Sequence, residues 1–159
     1  MNDATPKGHV AFDSGVLVEI LEATPRGNGL LDAIALGTLT PHVSPINIAE
    51  AEYVVCRKVG HKEARRRVES MIASGYYAIE DSPSLHEAAA ELKCERSISF
   101  VDCYTFAVAE LTSSVPLFAS EETEIVREMK KKAFKVSPSF LPKLPSSIQD
   151  LPKARGLEK

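Results

Sequence analysis

Short apolar runs, each ending at a polar residue and followed by apolar residues at helical spacing, recur along this chain. That alternation constrains the fold more than any other feature. Val10-Ala11-Phe12 is one such run, closed by Asp13, as expected of a strand buried on both faces. Val16, Leu17, Ile20 and Leu21 then recur at helical spacing behind Ser14, a residue suited to an N-cap. Thr24-Pro25-Arg26-Gly27-Asn28-Gly29 reads as a break, after which Leu30, Leu31, Ile34 and Ala35 mark a helix that Gly37 closes. Leu39 to Val43 reads as a second strand. Ser44-Pro45 opens the next helix, which carries Ile48, Tyr53, Val54, Val55 and Val59 and stops at Gly60.

The second half repeats the pattern. His61 to Ser74 reads as a helix with a basic run, and Tyr76 to Ile79 as a third strand. Ser84-Leu85-His86-Glu87 has the form of a capping box leading into an Ala-rich helix, and Ser99-Phe100-Val101-Asp102 has the same form. Pro116 to Ala119 reads as a fourth strand, Ser120 as the cap of a last helix through Ile125, Val126 and Met129, and Phe134-Lys135-Val136 as a fifth strand. Strands alternating with helices predict an α/β fold, a three-layer α/β/α domain with a mainly parallel central sheet and its first strand central. A chain of 159 residues fits one such domain. The expected division is a domain over 1–136 and a Pro-rich arm over 137–159, where Pro138, Pro142, Pro145 and Pro152 fall in a stretch of little periodicity. Phe140, Leu141 and Leu144 could dock that arm on a partner.

The net charge of -3 means that the chain as a whole repels a polyanion, so a nucleic-acid partner would need local basic patches or bound cations. Arg57-Lys58 with Arg65-Arg66-Arg67, and Lys130-Lys131-Lys132 with Lys135, are the candidate patches, each equally readable as a solvated helix face. The tail mixes Lys143, Lys153, Arg155 and Lys159 with Asp150 and Glu158. Cys56, Cys94 and Cys103 stand at no metal-ligand spacing and read as reduced thiols. His9, His42, His61 and His86 are dispersed, which argues against zinc. No apolar stretch approaches the ~20 residues that span a bilayer, and the polar N-terminus lacks a secretory core. A cytoplasmic protein with no membrane partner is the expectation.

In an open α/β sheet, ligands bind beyond the carboxyl ends of the strands. Asp13 follows the first strand directly, Glu121 lies just past the fourth, and Glu50 and Asp102 fall in the opening turns of two helices. Wound in the usual way, the sheet can bring these four carboxylates together, where they would repel one another unless a cation were present. Oxygen ligands of this kind suit Mg²⁺ or Mn²⁺. Such sites support in-line displacement at phosphorus. Each residue also has a local reading: Asp13 and Asp102 as capping residues, Glu121 as a first-turn charge, Glu50 as an exposed carboxylate like its neighbour Glu52.

The blocks Val10 to Ser14, Val43 to Glu50, Ser97 to Asp102 and Val115 to Glu121 together resemble the PIN-domain family. Val10-Ala11-Phe12-Asp13-Ser14 resembles its opening, and Val43-Ser44-Pro45-Ile46-Asn47-Ile48-Ala49-Glu50 its second block. Ser97-Ile98-Ser99-Phe100-Val101-Asp102 resembles the third, and Val115-Pro116-Leu117-Phe118-Ala119-Ser120-Glu121 the last. The last block departs from the family pattern, with Ala119 in place of a hydroxyl residue and Glu121 in place of Asp. The resemblance implies a Mg²⁺- or Mn²⁺-dependent ribonuclease that hydrolyses RNA. In the similar VapC-like group it would be the toxin of a toxin–antitoxin pair, a homodimer silenced by a small antitoxin protein. Asp13, Glu50 and Asp102 would be the main metal ligands and catalytic residues, with Glu121 the fourth. The drifted last block leaves a second reading, a catalytically weak PIN-fold binding or assembly subunit. A receiver-type signalling domain is also doubly wound. This chain lacks that domain's paired acidic residues before the first helix and its lysine after the last strand.

Overall fold

A computed structural model describes residues 7–142. The strand β1 (Gly8–Phe12) runs into α1 (Ser14–Leu21) through Asp13, whose carboxylate caps the helix by accepting from the Gly15 N–H at 3.1 Å. The cap is therefore Asp13 and not the expected Ser14. α2 (Pro25–Ala35) begins inside the segment expected to break the chain. Thr24 is its N-cap, with its hydroxyl accepting from Gly27 N–H at 3.0 Å, and Pro25 occupies the first turn. Gly27 is there because α2 crosses the end of α1 at backbone contact. A Cβ at this position would lie 2.0 Å from the Glu19 carbonyl oxygen.

β2 (Leu39–Val43) leads through the Ser44 cap into α3 (Pro45–Val59), followed by α4 (His61–Ala73). The third strand is shorter than expected, β3 (Ala78–Ile79). α5 (Pro83–Glu95) is capped by Ser82, which accepts from Leu85 N–H at 3.2 Å, so the expected Ser84 box lies inside the helix. α6 (Phe100–Thr112) starts as expected, with Ser99 accepting from Asp102 N–H at 3.1 Å. β4 (Val115–Phe118) precedes α7 (Thr123–Lys131), whose N-cap is Glu122 and not Ser120.

The sheet order is β3-β2-β1-β4-β5, every pair parallel, with β1 at the centre as the alternation predicted. Two cores flank it. Val10, Phe12, Leu39, Val43 and Leu117 pack against α1 to α4 on one side, while Ala11 and Phe118 pack against α5, α6 and Ile125 of α7 on the other. This is the three-layer α/β/α arrangement.

The end of the chain departs from expectation. Phe134 is not in a strand; it stacks on Phe106 at 4.0 Å between ring centroids, with the Arg96 guanidinium 4.2 Å from its own centroid. Arg96, itself buried, donates to the carbonyls of Glu128, Lys132 and Ala133 and so closes the open C-terminal end of α7. The chain then returns to the sheet as β5 (Ser139–Phe140), in register with Leu117 and Phe118, and Leu141 is buried. The expected boundary at Val136 thus falls before the last strand. The rest of the proposed arm, including Leu144, lies outside the described residues.

Candidate active site

Because β2 and β4 lie on opposite sides of β1, the connections leave the carboxyl end of β1 in opposite directions and open a crevice there. Asp13 stands at this point. Its backbone N–H donates to the Leu117 carbonyl of β4 at 3.0 Å, fixing it to both strands. Across the crevice comes the loop that follows β4. A Cβ on Gly15 would lie 3.0 Å from Ala119 Cβ and 3.2 Å from Asp13 Oδ2, so the glycine lets this loop approach closely. Arg26 holds the loop from α2, donating to the Ala119 carbonyl at 2.8 Å while it pairs with Glu19 at 2.6 Å.

Asp13, Asp102 and Glu122 each direct a carboxylate oxygen into the crevice, and these atoms all lie within 4.8 Å of one another. Asp13 and Asp102 are buried and Glu122 is half-buried. All three are placed by helix starts: Asp13 and Glu122 are N-caps, and Asp102 is in the first turn of α6. The partial positive charge of a helix N-terminus favours a carboxylate there. It does not suffice. Burial and the charges of Asp102 and Glu50 push the Asp13 carboxyl up to about 7, against the lowering by the N–H groups of Gly15 and Ser14. Burial, the charges of Asp102 and Asp13, and a hydrogen bond with Asp102 push Glu122 up to about 7. Asp102 is raised by burial, although its bonds to Ser99 and Glu122 oppose this. Among the described residues no Lys, Arg or His forms an ion pair with any of the three.

Glu50 is half-exposed at the rim and raised by burial and by the charge of Asp102, which puts it within electrostatic reach of the cluster but outside its close-packed set. Glu121 is exposed and is not one of the three close-set carboxylates. The helix after β4 starts two residues later than the Ser120 cap predicts, because α7 starts at Thr123 with Glu122 as its N-cap. Glu122 is the member of the cluster that the sequence reading did not name. Its only signal was the acidic run Glu121-Glu122-Thr123-Glu124, which does not say which carboxylate turns inward.

Three close oxygen donors with raised proton affinity and, among the described residues, no neutralising side chain fit a hard divalent cation. The first basic run is largely neutralised within the fold, and in the second Lys131 pairs with Glu128. Lys58 pairs with Glu22, Arg65 with Glu52, and Arg66 and Arg67 with Glu63, while Arg57 lies over the Tyr53 ring. The three cysteines are free. Among the described residues no helix is long and apolar enough to cross a membrane.

The sequence matches the PIN domain family over residues 10–132. The chain belongs to the PIN domain family. Solved structures share the fold at low identity. Mycobacterium tuberculosis VapC20, a sarcin-ricin loop cleaving toxin, is 20% identical with a TM-score of 0.58, covering 74% of this chain and 93% of its own. Rickettsia felis VapBC2, bound to a DNA fragment from its promoter, is 15% identical with a TM-score of 0.62, covering 85% and 100%. FitAcB from Neisseria gonorrhoeae is 22% identical with a TM-score of 0.54, covering 81% and 95%. No curated protein matches the chain by sequence.

Proposed function

We propose that this protein is a metal-dependent endoribonuclease and the toxin of a toxin–antitoxin pair. The observation that carries the reading is the Asp13–Asp102–Glu122 cluster, three carboxylate oxygens within 4.8 Å at the crevice of the sheet. Membership of the PIN domain family supports it, as do fold neighbours that include a sarcin-ricin loop cleaving toxin and a toxin–antitoxin complex. Asp13, Asp102 and Glu122 would hold Mg²⁺ or Mn²⁺, with Glu50 completing the site from the rim. When bound, the ion supplies water activation and stabilises charge on the phosphate and the leaving oxygen.

The protein's own groups do the rest. Asp13 and Asp102, fixed by the β1–β4 pairing and by the α6 cap, would hold the ion's oxygen donors at a set spacing. Glu50, whose proton affinity is raised, accepts the proton that the attacking water gives up. Glu122 in the cluster would supply the carboxylate that the drifted last block at Ala119 and Glu121 lacks, which supports the active reading over an inactive subunit. The partners that go with this reading are RNA, a small antitoxin protein and a second copy of the chain, in the cytoplasm.

The test is to strip the protein with EDTA, dialyse it, and incubate it with unstructured RNA with and without added Mn²⁺. Cleavage that appears only on adding the ion supports the reading. Cleavage that persists in EDTA, or none with any divalent ion, contradicts it.

A further inference from the structure

Beneath the carboxylates lies a polar cluster that the reaction itself does not use. Asn47 Nδ2 donates to Ser14 Oγ at 3.1 Å and to Thr105 Oγ1 at 3.0 Å. Its amide oxygen accepts from the Ser44 hydroxyl, and that hydroxyl oxygen accepts from the Asn47 backbone N–H at 3.1 Å. Ser44, Asn47 and Thr105 are 0% exposed and Ser14 is 3% exposed. Three members of the cluster adjoin a carboxylate. Ser14 follows Asp13, Asn47 precedes Glu50 by three residues, and Thr105 follows Asp102 by three, about one helical turn along α6. The amide therefore joins α1, α3 and α6, three of the segments that bring acidic side chains to the crevice.

We infer that Asn47 is a positioning residue that locks α1, α3 and α6 together under the carboxylates, and so sets how tightly the site holds a divalent cation. The inference rests on the metal-dependent reading above. Its physical basis is the repulsion within the site. Close carboxylates with no cationic partner among the described residues push their own segments apart, and an apolar contact, which has no preferred direction, resists sliding weakly. An amide with both N–H groups and its oxygen committed to partners on three segments fixes their spacing. Other side chains of this size fail. Asp offers no donor when ionised and adds a charge, and Leu strands the Ser14 and Thr105 hydroxyls in a dry interior.

The experiment measures Mn²⁺ affinity by the electron paramagnetic resonance of the free ion, alongside the thermal midpoint. Its variants are Thr105→Val, Thr105→Ser and Ser14→Ala, with Val68→Ala as control. Val68 is buried in α4, an element that brings no carboxylate to the crevice. Thr105→Val keeps the shape and removes the acceptor, and it should weaken Mn²⁺ binding about tenfold or more, in the range that groups behind a metal's direct ligands command. Thr105→Ser should restore parental affinity, and Val68→Ala should lower the midpoint without changing affinity. Should Thr105→Val fail to fold, Ser14→Ala, which strands the other amide N–H, decides by the same loss of affinity. A parent that binds Mn²⁺ beside folded Thr105→Val or Ser14→Ala variants that bind it equally well overturns the inference alone. So does a Val68→Ala control whose affinity falls in step with its midpoint. A parent that binds no Mn²⁺ overturns the metal reading and the inference with it.

Discussion

Asp102 and Glu122 bring carboxylate oxygens within 4.8 Å of each other, although one sits in the first turn of α6 and the other is the N-cap of α7. Two carboxylates held this close repel unless a proton or a cation lies between them, so the pair marks a place for a cation. Glu122→Gln should therefore lower Mn²⁺-dependent RNA cleavage on the order of a hundredfold, as loss of one group stabilising developing charge commonly does. Glu121→Gln, at an exposed neighbour, should leave the rate near that of the parent. Initial rates at a fixed Mn²⁺ concentration check both.

The metal-free protein should lose stability as pH rises. The Asp13 carboxyl is raised from 3.8 to about 7 on folding, so the folded state binds more protons than the unfolded chain between those values. The contribution is fully present below the unfolded value and is lost as pH climbs through the folded one. Glu122, also raised to about 7, acts in the same direction. In EDTA the Tm should fall by about 5 °C or more from about pH 5 to about pH 8. Asp13→Asn should flatten the slope, and Mn²⁺ should stabilise more at the higher pH. Thermal scans across that range measure it.

Gly27→Ala should be costly. The added methyl would meet the Glu19 carbonyl at 2.0 Å, against backbone that cannot yield cheaply. Separating α1 from α2 should cost about 3 kcal/mol or more, a fall in Tm of about 10 °C. It would also move Arg26 away from the Ala119 carbonyl, so activity should fall in the folded fraction as well. Gly29→Ala, with nothing within 4 Å of its Cβ position, should be neutral or slightly stabilising.

Truncation after Val136 should destabilise the domain. It deletes β5, the buried Leu141 and the Phe140 ring, which lies 6.0 Å from Phe118. Burial of two such side chains contributes several kcal/mol, so Tm should drop by about 5–10 °C. A chemical denaturation curve for the two lengths measures the difference.

The elements that the sequence announced are those whose signals are local. The apolar run ending at Asp13, the Ser44-Pro45 start and the Ser99 cap carry their own boundaries, and with them the placing of Asp13, Glu50 and Asp102 near one end of the sheet. What escaped depends on distant partners. Gly27 reads as a breaker until the Glu19 carbonyl is seen against it. Phe134 reads as a strand residue until Phe106 and Arg96 enclose it. Nothing near Asn47 reveals that its amide spans to Ser14 and Thr105, 33 and 58 residues away. Glu122 was displaced by one position because loop length, unlike helix or strand period, has no repeat to read.

The central claim, that this carboxylate cluster cleaves RNA with a divalent ion, is tested most directly by a cleavage time course. The parent, Asp13→Asn and Asp102→Asn are purified identically and incubated with unstructured RNA and Mn²⁺. Each variant should remain folded, since removing one of several repelling carboxylates relieves strain, and each should lose cleavage on the order of a thousandfold. Cleavage by Asp102→Asn at the parent's rate would contradict the account, because the activity would then come from somewhere other than this site.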